Sequence, residues 1–199
     1  MRGPFIEWGV AEQVAAGQTA CGDAYLVKPL PDGILLAVFD GLGHGPEAAA
    51  AANLATATTE KNAQEPLRSI FTKCHDQLIG TRGVVMSAAR INAQDGTLTW
   101  AGVGNVDGML LRANLKVSPD CEFLLLRSGV VGAQLPLFHI AIMPIFPGDL
   151  LIFSTDGIHS PSIQDMIRSD PAQKIADTIL TRHSKNADDA LVLVARYTG

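Results

Sequence analysis

Residues 34–50 read ILLAVFDGLGHGPEAAA, and this segment says more about the architecture than any other part of the chain. Its opening apolar run is typical of a buried strand. Asp40 ends that run, and the glycine-rich turn 41–45 follows. Pro46 suits the first turn of a helix, because its missing N–H would have no partner there. The segment therefore predicts a buried strand, a tight turn that carries a carboxylate, and an alanine-rich helix over 48–59.

The sequence on both sides of this segment predicts further strands and two more helices. Two strands are expected before it, and the Pro31-Asp32-Gly33 turn predicts a hairpin. Two helices in succession do not fit the regular alternation of a doubly wound parallel sheet, and they indicate an α+β layered sandwich. The predicted strands cover residues 5–14, 24–27, 84–91, 97–103, 108–112, 123–126, 138–142, 149–154 and 191–195, and the predicted second and third helices cover 65–79 and 171–182.

The composition excludes several classes of protein. Hydrophobic residues make up 47% of the 199 residues and charged residues 18%, which favours a well-packed core over disorder. The net charge of −5 argues against a nucleic-acid partner. No apolar run is long enough to span a membrane, and the three cysteines lack the spacing of a zinc or redox site. We expect one cytoplasmic domain over residues 1–199, without sensor or regulatory domains and without a membrane partner.

Acidic residues recur at the ends of predicted strands. Asp40 and Asp156 each follow an apolar run and precede a glycine, Asp188 and Asp189 precede the last strand, and Asp23 opens an early one. Oxygen-only ligands of this kind suit Mg²⁺ or Mn²⁺ better than zinc. Each position alone is compatible with an ordinary turn or a local backbone cap. Their shared setting predicts a metal site.

Four motifs in this order resemble those of the PP2C-type metal-dependent serine/threonine phosphatases, especially the bacterial SpoIIE-like branch. They are CGDA at 21–24, VFDGLGHG at 38–45, STDG at 154–157 and DDA at 188–190. The resemblance implies a PP2C-like αββα sandwich, in which two antiparallel β-sheets face each other and are flanked by helices. It also implies a centre of two ions, Mn²⁺ or Mg²⁺, at one end of the sheets.

The resemblance also implies a role for each site residue. Asp40 resembles the ligand that bridges both ions, and the backbone carbonyl of Gly41 a ligand of one of them. Asp156 and Asp188 resemble ligands of the other ion, and Asp23 is expected to act through a bound water. Two such cations lower the pKa of a bridging water, so that hydroxide attacks phosphorus in line without a covalent phospho-enzyme.

Three further features of the chain bear on the resemblance. His44 either helps to protonate the leaving serine or threonine oxygen or supports the glycine-rich turn. No arginine near the N-terminus is placed to bind the substrate phosphate, as it is in eukaryotic members. The Gly104-Asn105 turn resembles a family loop and is interpreted as structural support.

We expect this chain to be a phosphatase domain without added domains, and in this it resembles the RsbX type of stressosome phosphatase. That resemblance implies phosphorylated STAS-domain partners of the RsbR and RsbS kind. A phosphatase for another anti-anti-sigma factor is one alternative. A nucleotide-binding module is a second, although the turn reads GxGxG and not GxGxxG, and a helix follows where that fold needs a strand. A non-catalytic pseudophosphatase is the third, and its mark, a missing metal ligand, is not found.

Overall fold

In the computed structural model, two antiparallel sheets lie face to face, and helices pack on the outer side of each. The structure describes residues 2–3, 5–116, 118–159, 168–185 and 187–199. The α+β sandwich predicted from the sequence is confirmed. No helix in these ranges is long and apolar enough to cross a bilayer.

The five-stranded sheet contains the hairpin that was predicted around Pro31-Asp32-Gly33. Its strands are β3 (Asp23–Leu30), β4 (Gly33–Gly41), β5 (Val84–Asn92), β6 (Thr97–Val103) and β9 (Ile140–Pro144), in the order β3-β4-β5-β6-β9. Helices α1 (Pro46–Lys61) and α2 (Leu67–Leu78) cover the outer face of this sheet.

The six-stranded sheet brings the two ends of the chain together. Its strands are β1 (Arg2–Gly3), β2 (Ile6–Gln13), β7 (Asp107–Leu111), β8 (Cys121–Phe123), β10 (Leu150–Ser154) and β11 (Ala190–Tyr197), in the order β1-β2-β11-β10-β7-β8. Helix α3 (Ala172–His183) packs on β2 and β11.

The continuous apolar run of β4 is explained by its position between two hydrophobic layers. Leu36 and Val38 pack in the core between the sheets, whereas Leu35 and Phe39 pack under α1 and α2. Both faces of the strand are therefore buried, and a polar residue on either face would lose its hydration.

Helix α1 passes very close to the end of β4. A Cβ atom on Gly41 would lie 2.1 Å from the carbonyl oxygen of Ala48, so only glycine fits at this point. The alanine-rich face of the helix allows the same close approach. Together they hold the strand end that carries Asp40 directly against the helix.

Two predicted strands are wrong in their bounds. The strand expected at 123–126 lies at 121–123 instead, because the chain leaves the sheet edge and buries Leu124 against Gly102 and Gly108. The strand expected at 138–142 begins only at Ile140, because Phe138 packs against Phe71 of α2, with ring centroids 4.7 Å apart.

Candidate active site

The acidic residues predicted from the sequence converge at one end of the sandwich, and both sheets contribute. Asp23 and Asp40 are directly opposite each other in the β3–β4 pair of the five-stranded sheet. Asp156 follows β10, and Asp188 precedes β11, in the six-stranded sheet. The site therefore lies on the seam between two separately hydrogen-bonded layers.

A cleft of about 520 Å³ opens at this seam. Asp40, Asp156 and Asp188 line it, and His44 lines it from the glycine-rich turn. Residues 128–130 also line it. Three carboxylates and an imidazole thus share one solvent-filled space.

Side-chain hydrogen bonds orient Asp23 and Asp156. The hydroxyl of Thr155 donates to Oδ2 of Asp23 over 2.7 Å and itself accepts the backbone N–H of Leu191 over 2.9 Å. The side-chain amide of Asn105 donates to Oδ2 of Asp156 over 2.7 Å. Each donor contacts only one carboxylate oxygen, and no residue in the described ranges donates a side-chain hydrogen bond to the second oxygen of either group.

Asp189 has a different role from its neighbour Asp188. Its two carboxylate oxygens accept the backbone N–H groups of Ala15 and Gly22, each over 2.7 Å, and the residue is only 5% exposed. Asp188 instead lines the cleft. Asp189 therefore links the chain before β3 to the start of β11. Of the two adjacent carboxylates, Asp189 is structural and Asp188 faces the cleft.

A close backbone approach holds the last two acidic segments together. A Cβ atom on Gly157 would lie 1.9 Å from the carbonyl oxygen of Asp189, so a side chain at this position would push the segments apart. The glycine after Asp156 thus sets the spacing between Asp156 and the Asp188 segment.

Burial and mutual repulsion act on the acids of this site. Burial, followed by the charges of the neighbouring carboxylates, raises the pKa of Asp40 to about 8. Burial raises the pKa of Asp23 to about 7, against the opposing effect of the hydrogen bond from Thr155. The ammonium group of Lys185 approaches the site but donates to the backbone oxygen of Asp156. The carboxylates therefore form a strained acidic cluster that a cation would stabilise.

Comparison with known proteins identifies the family. The model of the family described as stage II sporulation protein E (SpoIIE) matches residues 31–198. The chain belongs to the SpoIIE family. The resemblance that the four motifs suggested is thereby confirmed.

Relatives of this SpoIIE-family chain match it over nearly its whole length. Phosphoserine phosphatase RsbX of Bacillus subtilis (strain 168) is 26% identical over 185 residues, covering 92% of this chain and 90% of RsbX. A chain solved in work on the bacterial stressosome, as a modular system adapted to control secondary messenger signalling, is 35% identical with a TM-score of 0.88. That match covers 96% of this chain and 99% of the other. RsbX crystallised with magnesium is 23% identical with a TM-score of 0.88, covering 100% and 98%.

The donor set of this SpoIIE-family site fits a hard divalent cation. All of its side-chain donors are oxygens, which Mg²⁺ and Mn²⁺ prefer. Within the described ranges, however, no group of three or more histidine, cysteine, aspartate or glutamate side chains forms a ready-made metal site. The carboxylates thus share a cleft without enclosing a coordination sphere between them.

The structure places the predicted site residues at different depths. Asp40, Asp156, Asp188 and His44 line the cleft, whereas Asp23 lies below it and is 8% exposed. Gly41 is buried under α1 and is not among the cleft-lining residues. The assignment of these residues as metal ligands stays a prediction.

Sequence reasoning missed three residues near the site, namely Thr155, Asn105 and Lys185. Thr155 lies directly beside Asp156 in the STDG motif, so its position was a usable signal. Asn105 was interpreted only as structural support, but its amide contacts Asp156. Nothing in the local sequence indicates that Lys185 approaches Asp156.

Proposed function

We propose that this chain is a metal-dependent protein phosphatase that removes phosphate from serine or threonine residues of a partner protein. One observation carries the proposal: both sheets deliver carboxylates to a single cleft, where the pKa of Asp40 is raised to about 8. A cluster of like charges in a partly buried site is typical of a cation-dependent centre. Membership of the SpoIIE family and the similarity to the phosphoserine phosphatase RsbX support the activity.

The centre is proposed to hold two Mn²⁺ or Mg²⁺ ions. Asp23, Asp40, Asp156 and Asp188 carry four negative charges when ionised, which two divalent cations would balance. Asp40 is proposed to bind both ions, as the resemblance to the family implies, and it lines the cleft together with Asp156 and Asp188. Asp156 and Asp188 would also bind one of the ions, and the backbone carbonyl of Gly41 would bind the other. Asp23 would act through a bound water. The complex of RsbX with magnesium supports the same choice of metal.

When bound, the cations supply a water acidic enough to attack phosphorus near neutral pH, and they offset the charge of the phosphoryl oxygens. The chain contributes orientation and proton transfer. The amide of Asn105 donates to one oxygen of Asp156 and the hydroxyl of Thr155 to one oxygen of Asp23, and these bonds would fix the orientation of both carboxylates when the cations are bound. His44 is exposed and lines the cleft. It is proposed to protonate the leaving oxygen, and support of the glycine-rich turn is the alternative role.

The proposed substrates are phosphorylated STAS-domain proteins of the stressosome, of the RsbR and RsbS kind, in the cytoplasm. The 35% identity to a chain solved in stressosome work and the similarity to RsbX support this choice. A phosphatase for another anti-anti-sigma factor is the alternative. The nucleotide-binding module loses support, because every strand pair in the two sheets is antiparallel and the parallel crossover that it needs is missing from the described ranges.

Phosphate release from a phosphorylated STAS-domain protein tests the proposal. We expect release with Mn²⁺ or Mg²⁺ and none with chelator. Metal-dependent hydrolysis of p-nitrophenyl phosphate without release from the protein would keep the phosphatase and discard the substrate assignment. A folded protein that hydrolyses neither substrate would support the non-catalytic pseudophosphatase.

Metal binding is expected to release protons. With pKa values of about 7 and 8, Asp23 and Asp40 hold protons near neutral pH, and ligating carboxylates must lose them. Addition of Mn²⁺ at pH 6.5, in a weak buffer containing an indicator dye, should release about two protons per chain, most of them from these two carboxyl groups. At pH 9 the carboxylates are already ionised, and only the metal-bound water should release about one proton. Release that does not change between these two pH values would contradict the raised pKa values.

Loss of His44 should affect substrates according to their leaving group. A general acid matters for the poor alkoxide leaving group of phosphoserine and hardly at all for p-nitrophenolate. His44→Gln is therefore expected to lower kcat for the phosphoprotein about 100-fold and for p-nitrophenyl phosphate less than threefold. An equal fall for both substrates, together with a lower melting temperature, would instead assign His44 to support of the glycine-rich turn.

A further inference from the structure

A second groove of about 510 Å³ lies beside the catalytic cleft. One side of the groove is the exposed face of α1, with Ala50 and Leu54, and the other is the turn before β5, with Thr81 and Arg82. None of its lining residues belongs to the carboxylate cluster. The proposed chemistry therefore leaves this groove unexplained.

Arg82 forms the wall between the groove and the cleft. Its Nε donates to Oε2 of Glu47 over 2.6 Å. Its Nη1 lies so close to Gly43 that a Cβ atom there would be 2.5 Å from it. Gly43 lines the cleft and Arg82 lines the groove, so the two spaces are contiguous at this contact.

The Arg82–Glu47 pair contributes little to stability. Its side chains are 46% and 71% exposed, and exposed ion pairs contribute about 0–1 kcal/mol. The pair does hold the guanidinium in one orientation, while Nη1 makes no hydrogen bond to any residue in the described ranges. An oriented donor with unused N–H groups thus stands at the junction of the two spaces.

The other side of the groove suits an apolar side chain. Ala50 leaves room for a polypeptide backbone to approach α1, and Leu54 is 36% exposed at its end. Hydrogen-bond donors next to small and apolar residues are features of a surface that binds an extended peptide.

We propose that this groove binds the polypeptide segment that flanks the phosphorylated residue of the protein substrate. The bound segment presents a carbonyl or acidic side chain to Nη1 of Arg82 and an apolar side chain to Ala50 and Leu54. Gly43 of the cleft is in contact with Arg82 of the groove, so an extended chain, which advances about 3.3 Å per residue, passes from the cleft into the groove when it crosses this contact. This inference rests on the proposed function and adds a determinant of substrate choice to it.

A bulky residue at Ala50 tests the groove. Ala50→Trp fills it from an exposed helix position, and Ala57→Trp makes the same change about 10 Å further along α1, at a residue that does not line the groove. For each variant, kcat/KM is measured for a phosphorylated STAS-domain protein and for p-nitrophenyl phosphate. The ratio of the two values should fall at least tenfold in Ala50→Trp and change less than twofold in Ala57→Trp. Arg82→Ala should lower the ratio about fivefold.

The aryl phosphate serves as the control for folding and for the metal centre, because it has no flanking residues. An unchanged ratio in both Ala50→Trp and Arg82→Ala would overturn the groove assignment while leaving the phosphatase intact. Failure of the proposed function looks different, since the unmodified protein would then hydrolyse neither substrate in the presence of metal.

Discussion

Replacing Asp40 by asparagine is expected to lower metal-dependent phosphate release by about 1,000-fold and, at the same time, to stabilise the metal-free protein. The loss of activity follows from the proposed bridging position, because several kcal/mol of transition-state stabilisation depend on the cations. The gain in stability follows from the raised pKa of Asp40, which burial and the neighbouring carboxylates set at about 8. One substitution should therefore separate function from stability.

The gain in stability has a defined pH dependence. The folded protein binds the Asp40 proton more tightly than the unfolded chain, so the free energy of unfolding falls as pH rises from about 4 towards 8. An asparagine side chain does not ionise, so it does not contribute to this fall in stability as pH rises. At pH 8 without metal, we expect Asp40→Asn to gain about 2 kcal/mol, or about 5 °C in melting temperature, and at pH 4 almost nothing.

Thermal unfolding with chelator, measured at both pH values, checks this expectation. Saturating Mn²⁺ should raise the melting temperature of the unmodified protein and leave that of Asp40→Asn unchanged. A variant that is less stable than the parent at pH 8 without metal would show that Asp40 is held by favourable contacts and is not repelled by its neighbours.

The adjacent residues Asp188 and Asp189 should respond in opposite ways to the same substitution. Asp189→Asn keeps only one acceptor oxygen for the N–H groups of Ala15 and Gly22, and its new amide group faces a donor. Since a buried hydrogen bond to a charged group contributes about 1.5–3 kcal/mol, the variant should lose about 3 kcal/mol of stability. The melting temperature should fall by about 10 °C.

Asp188→Asn is the matched control for this experiment. Asp188 faces the cleft, so its loss should lower metal-dependent activity about 100-fold or more while changing the melting temperature of the metal-free protein by less than about 2 °C. Activity per folded molecule should be largely retained in Asp189→Asn. The reverse pattern would mean that the two carboxylates have exchanged the roles assigned to them.

The sequence was most informative where one local pattern determined both the backbone and the chemistry. The run ending at Asp40, the glycine turn and Pro46 predicted a strand, a turn and a helix, and all three are present. Asp23 and Asp40 lie at a common edge because their strands are antiparallel neighbours. That the two sheets bring their acidic residues to one cleft was implied by the resemblance of the motifs to the family and not by residue type or periodicity.

The parts that sequence reasoning missed depend on contacts between distant segments. Asn105 reaches Asp156 across 51 positions, and Thr155 reaches Asp23 across 132. The division between Asp188 and Asp189 depends on which of two adjacent carboxylates meets the N–H groups of residues 15 and 22. Local pattern carries no information about such partners, since they are set by the packing of one sheet on the other.

The position of the cleft on the seam between the sheets has a mechanical consequence. Each layer has its own hydrogen-bond ladder, whereas the named strands of the two layers pack against each other through side chains and are joined by connecting segments of the chain. Sliding one sheet over the other by a fraction of an ångström would change the separation of Asp40 from Asp156 and Asp188 while hardly altering either sheet. A binding partner that contacts the outer helices of both layers would therefore change the separation of these carboxylates without touching the cleft.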